Sequence, residues 1–144
     1  HMPLSLLFID CDGFKQVNDQ YGHECGDAYL CFLADALQRQ LRADDSVFRF
    51  AGDEFVVVLP NQTTADAAYI GERLQEDIAS QTFEWHGTRI PVAFSLGVAG
   101  NEQPGMSDSR SLLRHADQRL YEQKRDRANA DLRDRPRGSG PSTS

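Results

Sequence analysis

The order of strand-like and helix-like patterns predicts an α+β fold, a central mostly antiparallel sheet with helices packed around it. Three observations carry this expectation. The apolar run Leu4 to Ile9 ends in acid at Asp10, as a short buried strand does. Two β-rich runs, Val47 to Phe50 and Phe55 to Leu59, flank Ala51-Gly52-Asp53-Glu54, which reads as a hairpin. Helical periodicity then separates the strands. Leu30, Leu33, Ala34, Leu37 and Leu41 fall on one face of a 3.6-residue repeat.

After Asp10 comes a polar stretch punctuated by Gly13, Asn18-Asp19, Gly22 and Gly26, and the helical pattern begins at Ala28. Pro60 closes the second strand of the hairpin, and Thr63 or Thr64 can cap the next helix, whose apolar face is Ala67, Ile70, Leu74 and Ile78. Phe83 to Trp85 and Arg89 to Ala99 read as two strands joined by a turn at His86-Gly87. Ser107-Asp108-Ser109 offers a cap for a last helix carrying Leu113, Ala116, Leu120 and Tyr121. The aromatic residues on strands (Phe48, Phe50, Phe83, Trp85 and Phe94) are expected in the core. Beyond about Arg127 the composition turns to Arg, Asp, Pro, Gly and Ser. This places one domain at 4–129, a disordered tail or linker at 130–144, and a tag remnant with the chain start at 1–3. The βαββαβ palm of ferredoxin-like folds is the nearest simple description.

The 144 residues suit one domain, and 40% hydrophobic with 26% charged residues is ordinary globular composition. A net charge of −7 argues against a protein that grips DNA or RNA by broad phosphate neutralisation. It leaves room for a nucleotide enzyme in which divalent metals supply positive charge locally. Cys11, Cys25 and Cys31 cannot all pair and lack zinc-site spacing. Three free thiols point to a reducing cytoplasm, although a longer protein containing this domain could be membrane-anchored.

The acids sit at strand ends. Asp10 closes the first strand, Asp12 follows, and Asp53 and Glu54 occupy the hairpin tip. If the first strand neighbours the hairpin, three or four carboxylates converge at one sheet end. Like charges at that density repel unless hard cations sit between them. Each acid alone has an ordinary reading as a turn residue; acids on two separate elements are harder to explain that way. Asn18 and Asp27, if they converge, can read the edge of guanine. Their plainer reading, favoured by residue chemistry alone, is an Asx turn at Asn18-Asp19 and a helix cap at Asp27.

Together these stretches resemble the GGDEF family. Phe8-Ile9-Asp10-Cys11-Asp12-Gly13-Phe14-Lys15-Gln16-Val17-Asn18-Asp19 resembles FxDxDxFKxxND, and Tyr21-Gly22-His23-Glu24-Cys25-Gly26-Asp27 resembles GHxxGD. Arg49-Phe50-Ala51-Gly52-Asp53-Glu54-Phe55 resembles the R(F/Y)GGDEF signature. Ser95-Leu96-Gly97 resembles the SxG strand, and Ala116-Asp117-Gln118-Arg119-Leu120-Tyr121-Glu122-Gln123-Lys124 resembles ADxALYxAK. The blocks keep the family's order from residue 4 to about 129.

The resemblance implies a nucleotidyl-cyclase palm that condenses two GTP into cyclic di-GMP and releases pyrophosphate. Asp10 and Asp53 would hold two Mg²⁺ ions per active site, with Mn²⁺ as a substitute, helped by a main-chain carbonyl near Ile9. Glu54 would assist deprotonation of the attacking 3′-hydroxyl. Asn18 and Asp27 would read guanine, which overrides their plainer reading. Lys124 would pair with the triphosphate beside the Phe14-Lys15 turn. One domain binds one GTP, so a homodimer is implied for catalysis, with a sensory domain elsewhere in the full-length protein. Arg42-Ala43-Asp44-Asp45 matches the family's RxxD element, where the product binds as an inhibitor, with Arg73 in support. The plainer alternative there is a surface ion pair at i, i+3.

Three departures accompany the match. Ala51 stands where the signature has its first glycine, a position that costs about 1 kcal/mol if it needs φ > 0. The KxxGRN ending reads Lys124-Arg125-Asp126-Arg127-Ala128-Asn129, which places alanine at the phosphate-binding arginine. The family's leading helix and DxLTGLxNRR segment are missing from these residues. The alternative to an active, product-inhibited cyclase is therefore a catalytically weak or inactive GGDEF domain that acts as a cyclic di-GMP receptor.

Overall fold

The computed structural model describes residues 2–106 and 108–134; Ser107 of the expected cap and the tail from residue 135 lie outside them. The elements run β1 (Leu4–Cys11), α1 (Phe14–Tyr21), α2 (His23–Gln40), β2 (Ser46–Ala51) and β3 (Glu54–Pro60). There follow α3 (Thr64–Ser80), β4 (Phe83–Trp85), β5 (Thr88–Ile90), β6 (Phe94–Gly100) and α4 (Ser109–Asp134). Strands β2-β3-β1-β6 form one antiparallel sheet, and β4 with β5 forms a separate hairpin. The α+β architecture is the one the sequence predicts.

Strand β1 lies inside the sheet and is covered on both faces, which is why it reads as a continuous apolar run and not as an alternation. Leu7, Ile9, Phe55 and Val57 face α2 and α3, packing on Leu33, Leu37, Leu74 and Ile78. Leu6, Phe8 and Val56 face α4 and meet Leu112, Ala116 and Leu120. Thr63 caps α3 by accepting from Asp66 N–H, and Asp66 returns the bond in a capping box. Asp108 accepts from Ser111 N–H at 2.8 Å, which starts α4.

Four expectations need correction. The polar stretch after Asp10 is helical: α1 fills it, and α2 begins at His23, five residues before Ala28. Helix α1 buries Val17 and leans Phe14 and Tyr21 on the core; these three lie on one face of an otherwise polar, eight-residue helix, and tertiary contact stabilises what so short a segment cannot hold alone. The run 89–99 is broken at Pro91, which lacks an amide to donate to a ladder, so β5 and β6 belong to different sheets. Helix α4 continues to Asp134 past the change in composition, because Arg, Ala, Leu and Asp remain compatible with helix. Phe83 and Phe94 are buried and Trp85 is half-buried, but Phe48 and Phe50 are each 55% exposed. They sit on the edge strand β2, while α4 lies over β6 and β1.

Gly97 sets how closely α4 approaches the sheet. A Cβ there would overlap Ala116 O and Leu120 N, which are helix backbone and cannot move aside alone. Gly97→Ala is expected to lower unfolding free energy by at least about 2 kcal/mol. Urea titration would register this as a lower midpoint at unchanged slope.

Candidate active site

The register of the sheet assembles the acids. Asp10 at the end of β1 pairs with Glu54 at the start of β3, and Asp53 precedes Glu54 in the turn of the hairpin. Gly52 has φ 36 and takes the positive-φ position of that two-residue turn. Arg49 Nε donates to Gly52 O at 2.8 Å, and Cys11 N–H donates to Asp53 O at 3.1 Å. The turn is thus fastened to both neighbouring strands. Ala51 pairs with Glu54 as a strand residue without positive φ, so the backbone cost considered for a non-glycine residue there does not arise.

The carboxylates sense one another. Burial first, then the charge and contact of Asp10, push the Asp53 pKa above the usual carboxylate range. Glu54 is raised by burial, then by Asp10, Asp53 and Asp117. For acids with a raised folded pKa, folding is penalised at pH above that pKa, and the penalty is relieved as pH falls through it. Asp10 Oδ1 is buried and meets no hydrogen-bond donor. Its other oxygen, Oδ2, accepts from Lys124 Nζ of α4 at 2.7 Å. Burial disfavours the Lys124 charge, but the Asp10 hydrogen bond and the charges of Asp10, Asp12 and Asp53 outweigh it and raise its pKa. Asp12 accepts from Ser95 Oγ at 2.9 Å and its N–H donates to Ala93 O, which binds it to the start of β6. Burial, then Asp53 and Asp10, push the Cys11 thiol up, so it stays neutral.

Two carboxylates with an orphaned buried oxygen make a donor set that suits a hard divalent cation. Among the described residues no group of three or more His, Cys, Asp or Glu forms a metal cage, so further ligands must come from main chain, water or substrate. Ile9 is fully buried between its partners Phe55 and Leu96; the main chain that touches the Asp53 turn is that of Cys11.

Beside this cluster, α1 and α2 meet at Gly22, whose φ of 96 suits glycine at the junction. Gly26 packs so closely on Asn18 that a Cβ would overlap Asn18 Oδ1. That oxygen is buried without a donor, and Asp27 is exposed one residue beyond Gly26. Both plain readings fail here: Asn18 is inside a helix, and Asp27 lies past the first turn of α2. The Phe14 ring packs at 6.0 Å from that of Tyr29, while Lys15 is exposed.

At the opposite end of α2, Asp45 is buried and accepts from Arg42 N–H at 2.8 Å, and Arg42 Nη2 lies 3.4 Å from Asp45 Oδ1. Arg42 also donates to Pro60 O at 3.0 Å. Arg73 on α3 is exposed and lies over the Tyr69 ring at 5.8 Å. It lines a shallow hollow with Gln40, two residues before Arg42. Sequence reasoning overlooked Gln75 and Gln123. Gln123 Oε1 accepts from Leu96 N–H at 2.6 Å, and Gln75 Nε2 donates to Phe94 O at 2.9 Å. Polar residues beside helical apolar positions gave no signal that they reach a strand edge.

Comparison with known proteins matches residues 1–130 to the family described as diguanylate cyclase, GGDEF domain. Diguanylate cyclase A of Treponema denticola is 34% identical over 126 residues, covering 88% of this chain and 34% of that protein. Response regulator PleD of Caulobacter vibrioides is 38% identical over 130 residues, covering 89% of this chain and 28% of that protein. The chain therefore spans about a third of the length of these curated relatives, or less. The active GGEEF domain of a diguanylate cyclase from Vibrio cholerae superposes with TM-score 0.78 at 34% identity, over 87% of this chain and 78% of that one. The GGDEF domain of DgcB from Caulobacter crescentus in complex with c-di-GMP gives TM-score 0.80 at 26% identity, over 86% and 73%. No helix among the described residues is long and apolar enough to cross a membrane. With the signature hairpin, the acids at the end of β1 and this match along nearly the whole chain, the protein belongs to the GGDEF diguanylate cyclase family.

Proposed function

We propose that this domain condenses two GTP molecules into cyclic di-GMP and releases pyrophosphate. The observation that carries this reading is the meeting of Asp10, Asp53 and Glu54 at one sheet end, with Asp10 Oδ1 buried and without a donor. Asp10 and Asp53 would hold two Mg²⁺, or Mn²⁺, with a main-chain carbonyl near Ile9. Those ions would acidify the 3′-hydroxyl and offset charge on the entering and leaving oxygens.

The residues of the chain do the positioning. Glu54, with its pKa raised by burial and neighbouring acids, is suited to take the proton from the attacking hydroxyl. Asn18 and Asp27, on adjoining helices, present an amide and a carboxylate for the guanine edge. Lys124 and the exposed Lys15 supply positive charge for the triphosphate. One site holds one GTP, so ring closure needs two domains facing each other.

Arg42 and Asp45 form the product-inhibition site, with Arg73 on the neighbouring helix in support. Their mutual ion pair is the plainer reading. The Arg42 side chain is 54% exposed, which leaves the guanidinium available to fork onto phosphate.

Incubation with GTP and Mg²⁺, followed by chromatography, should yield cyclic di-GMP, and Asp53→Ala should yield none. A folded parent that makes no product yet binds cyclic di-GMP would overturn the cyclase reading in favour of a receptor. Asn18→Ala should raise KM for GTP about tenfold or more, through loss of a buried base contact. Arg42→Ala should weaken inhibition by added product about 10–100-fold, with the uninhibited rate retained.

Asp53→Asn removes a like charge from the metal-free cluster. Its melting temperature should rise by about 2–4 °C, and its stabilisation by Mg²⁺ should vanish.

A further inference from the structure

Lys124 is tied to Asp10 at 2.7 Å, and the residue before it is tied to a strand. Gln123 accepts from Leu96 N–H at 2.6 Å on the outer edge of β6. Gln75 Nε2 bridges from α3, donating to Phe94 O at 2.9 Å and to Gln123 Oε1 at 3.3 Å. Two glutamines thus join α3, β6 and α4 at one level. Successive side chains on a helix diverge by about 100°. Gln123 therefore grips the sheet edge while Lys124 points to the end of β1. The family pattern quoted above has alanine at the position of Gln123, and an alanine side chain has no oxygen with which to accept from Leu96 N–H.

The ammonium sits where cationic charge is most needed. Asp10, Asp12 and Asp53 all act on it, and Glu54 feels its opposing charge. Among the described residues the ion pairs that share a partner with this cluster reduce to Lys124–Asp10.

We propose that Lys124 is the built-in counter-ion of the acidic site, positioned on Asp10 by the Gln75–Gln123 clamp, and that a divalent cation binding at Asp10 competes with its charge. This rests on the reading of Asp10 as a metal ligand. A cation arriving alone competes with a tethered ammonium. One arriving with a nucleotide brings phosphate oxygens to which the ammonium can turn. The clamp therefore biases the site against metal without nucleotide.

The test is Mn²⁺ binding by titration calorimetry, without nucleotide, on protein verified as folded by its melting curve. Lys124→Met should bind Mn²⁺ about tenfold or more tightly than the parent, since a competing positive charge is gone. Gln123→Ala should tighten binding by a smaller factor. In the Lys124→Met background Gln123→Ala should change nothing further, because it acts through Lys124. Lys124→Gln serves as a second variant if Lys124→Met fails to fold. Unchanged or weaker Mn²⁺ binding on loss of Lys124 overturns the counter-ion role. An undiminished effect of Gln123→Ala in the double variant overturns the positioning role. Asp10→Asn separates the two layers. If it abolishes Mn²⁺ binding while loss of Lys124 does nothing, the metal reading stands and this proposal fails. If Asp10→Asn binds Mn²⁺ like the parent, the metal reading has failed and the proposal with it.

Discussion

The acidic end of the molecule depends on the antiparallel ladder between β1 and β3. A ladder fixes which residues stand opposite each other, and a slip of one residue would send every side chain to the other face. With both faces of β1 buried, such a slip would not exchange apolar for polar. Register must therefore come from elsewhere, and the hairpin turn supplies it. Gly52 sets the turn, Arg49 clamps its carbonyl, and Cys11 N–H closes on Asp53 O. These bonds bring Asp10 opposite Glu54.

The cluster so built is costly in isolation. Burial and mutual repulsion raise Asp53 and Glu54, and the nearest compensating charge arrives from the far end of the sequence, on α4. Placing that charge requires α4 to lie close and in the right rotation. Gly97 permits the closeness, because the helix backbone occupies the space a side chain would take. Ala116 and Leu120, buried against Phe8 and Leu6, help set the rotation. The chemistry of the site and the packing of the second core are one problem, solved by the same few residues.

Much of this was legible in the sequence because the relevant signals are local. Strand β1 announces itself by its apolar run, the hairpin by Gly-Asp between β-rich segments, and α3 by its period and capping threonine. The ordered motifs located the acids and Lys124. What escaped was fixed by contacts distant in sequence. Helix α1 is polar and short, and becomes a helix because Phe14, Val17 and Tyr21 find the core. Phe48 and Phe50 look like core residues by composition, and their exposure follows from strand order. Gln75 and Gln123 carry no periodic signature, since their role is to satisfy the backbone of an edge strand.

Helix α4 spans 26 residues, and Lys124 lies ten residues before its end at Asp134. At 1.5 Å per residue the helix runs about 15 Å beyond Lys124. A helix is stiff along its axis, so its outer turns form a handle on the same rod that carries the lysine. Those turns and the lysine that holds Asp10 thus share one axis, although they lie at different distances from the sheet end.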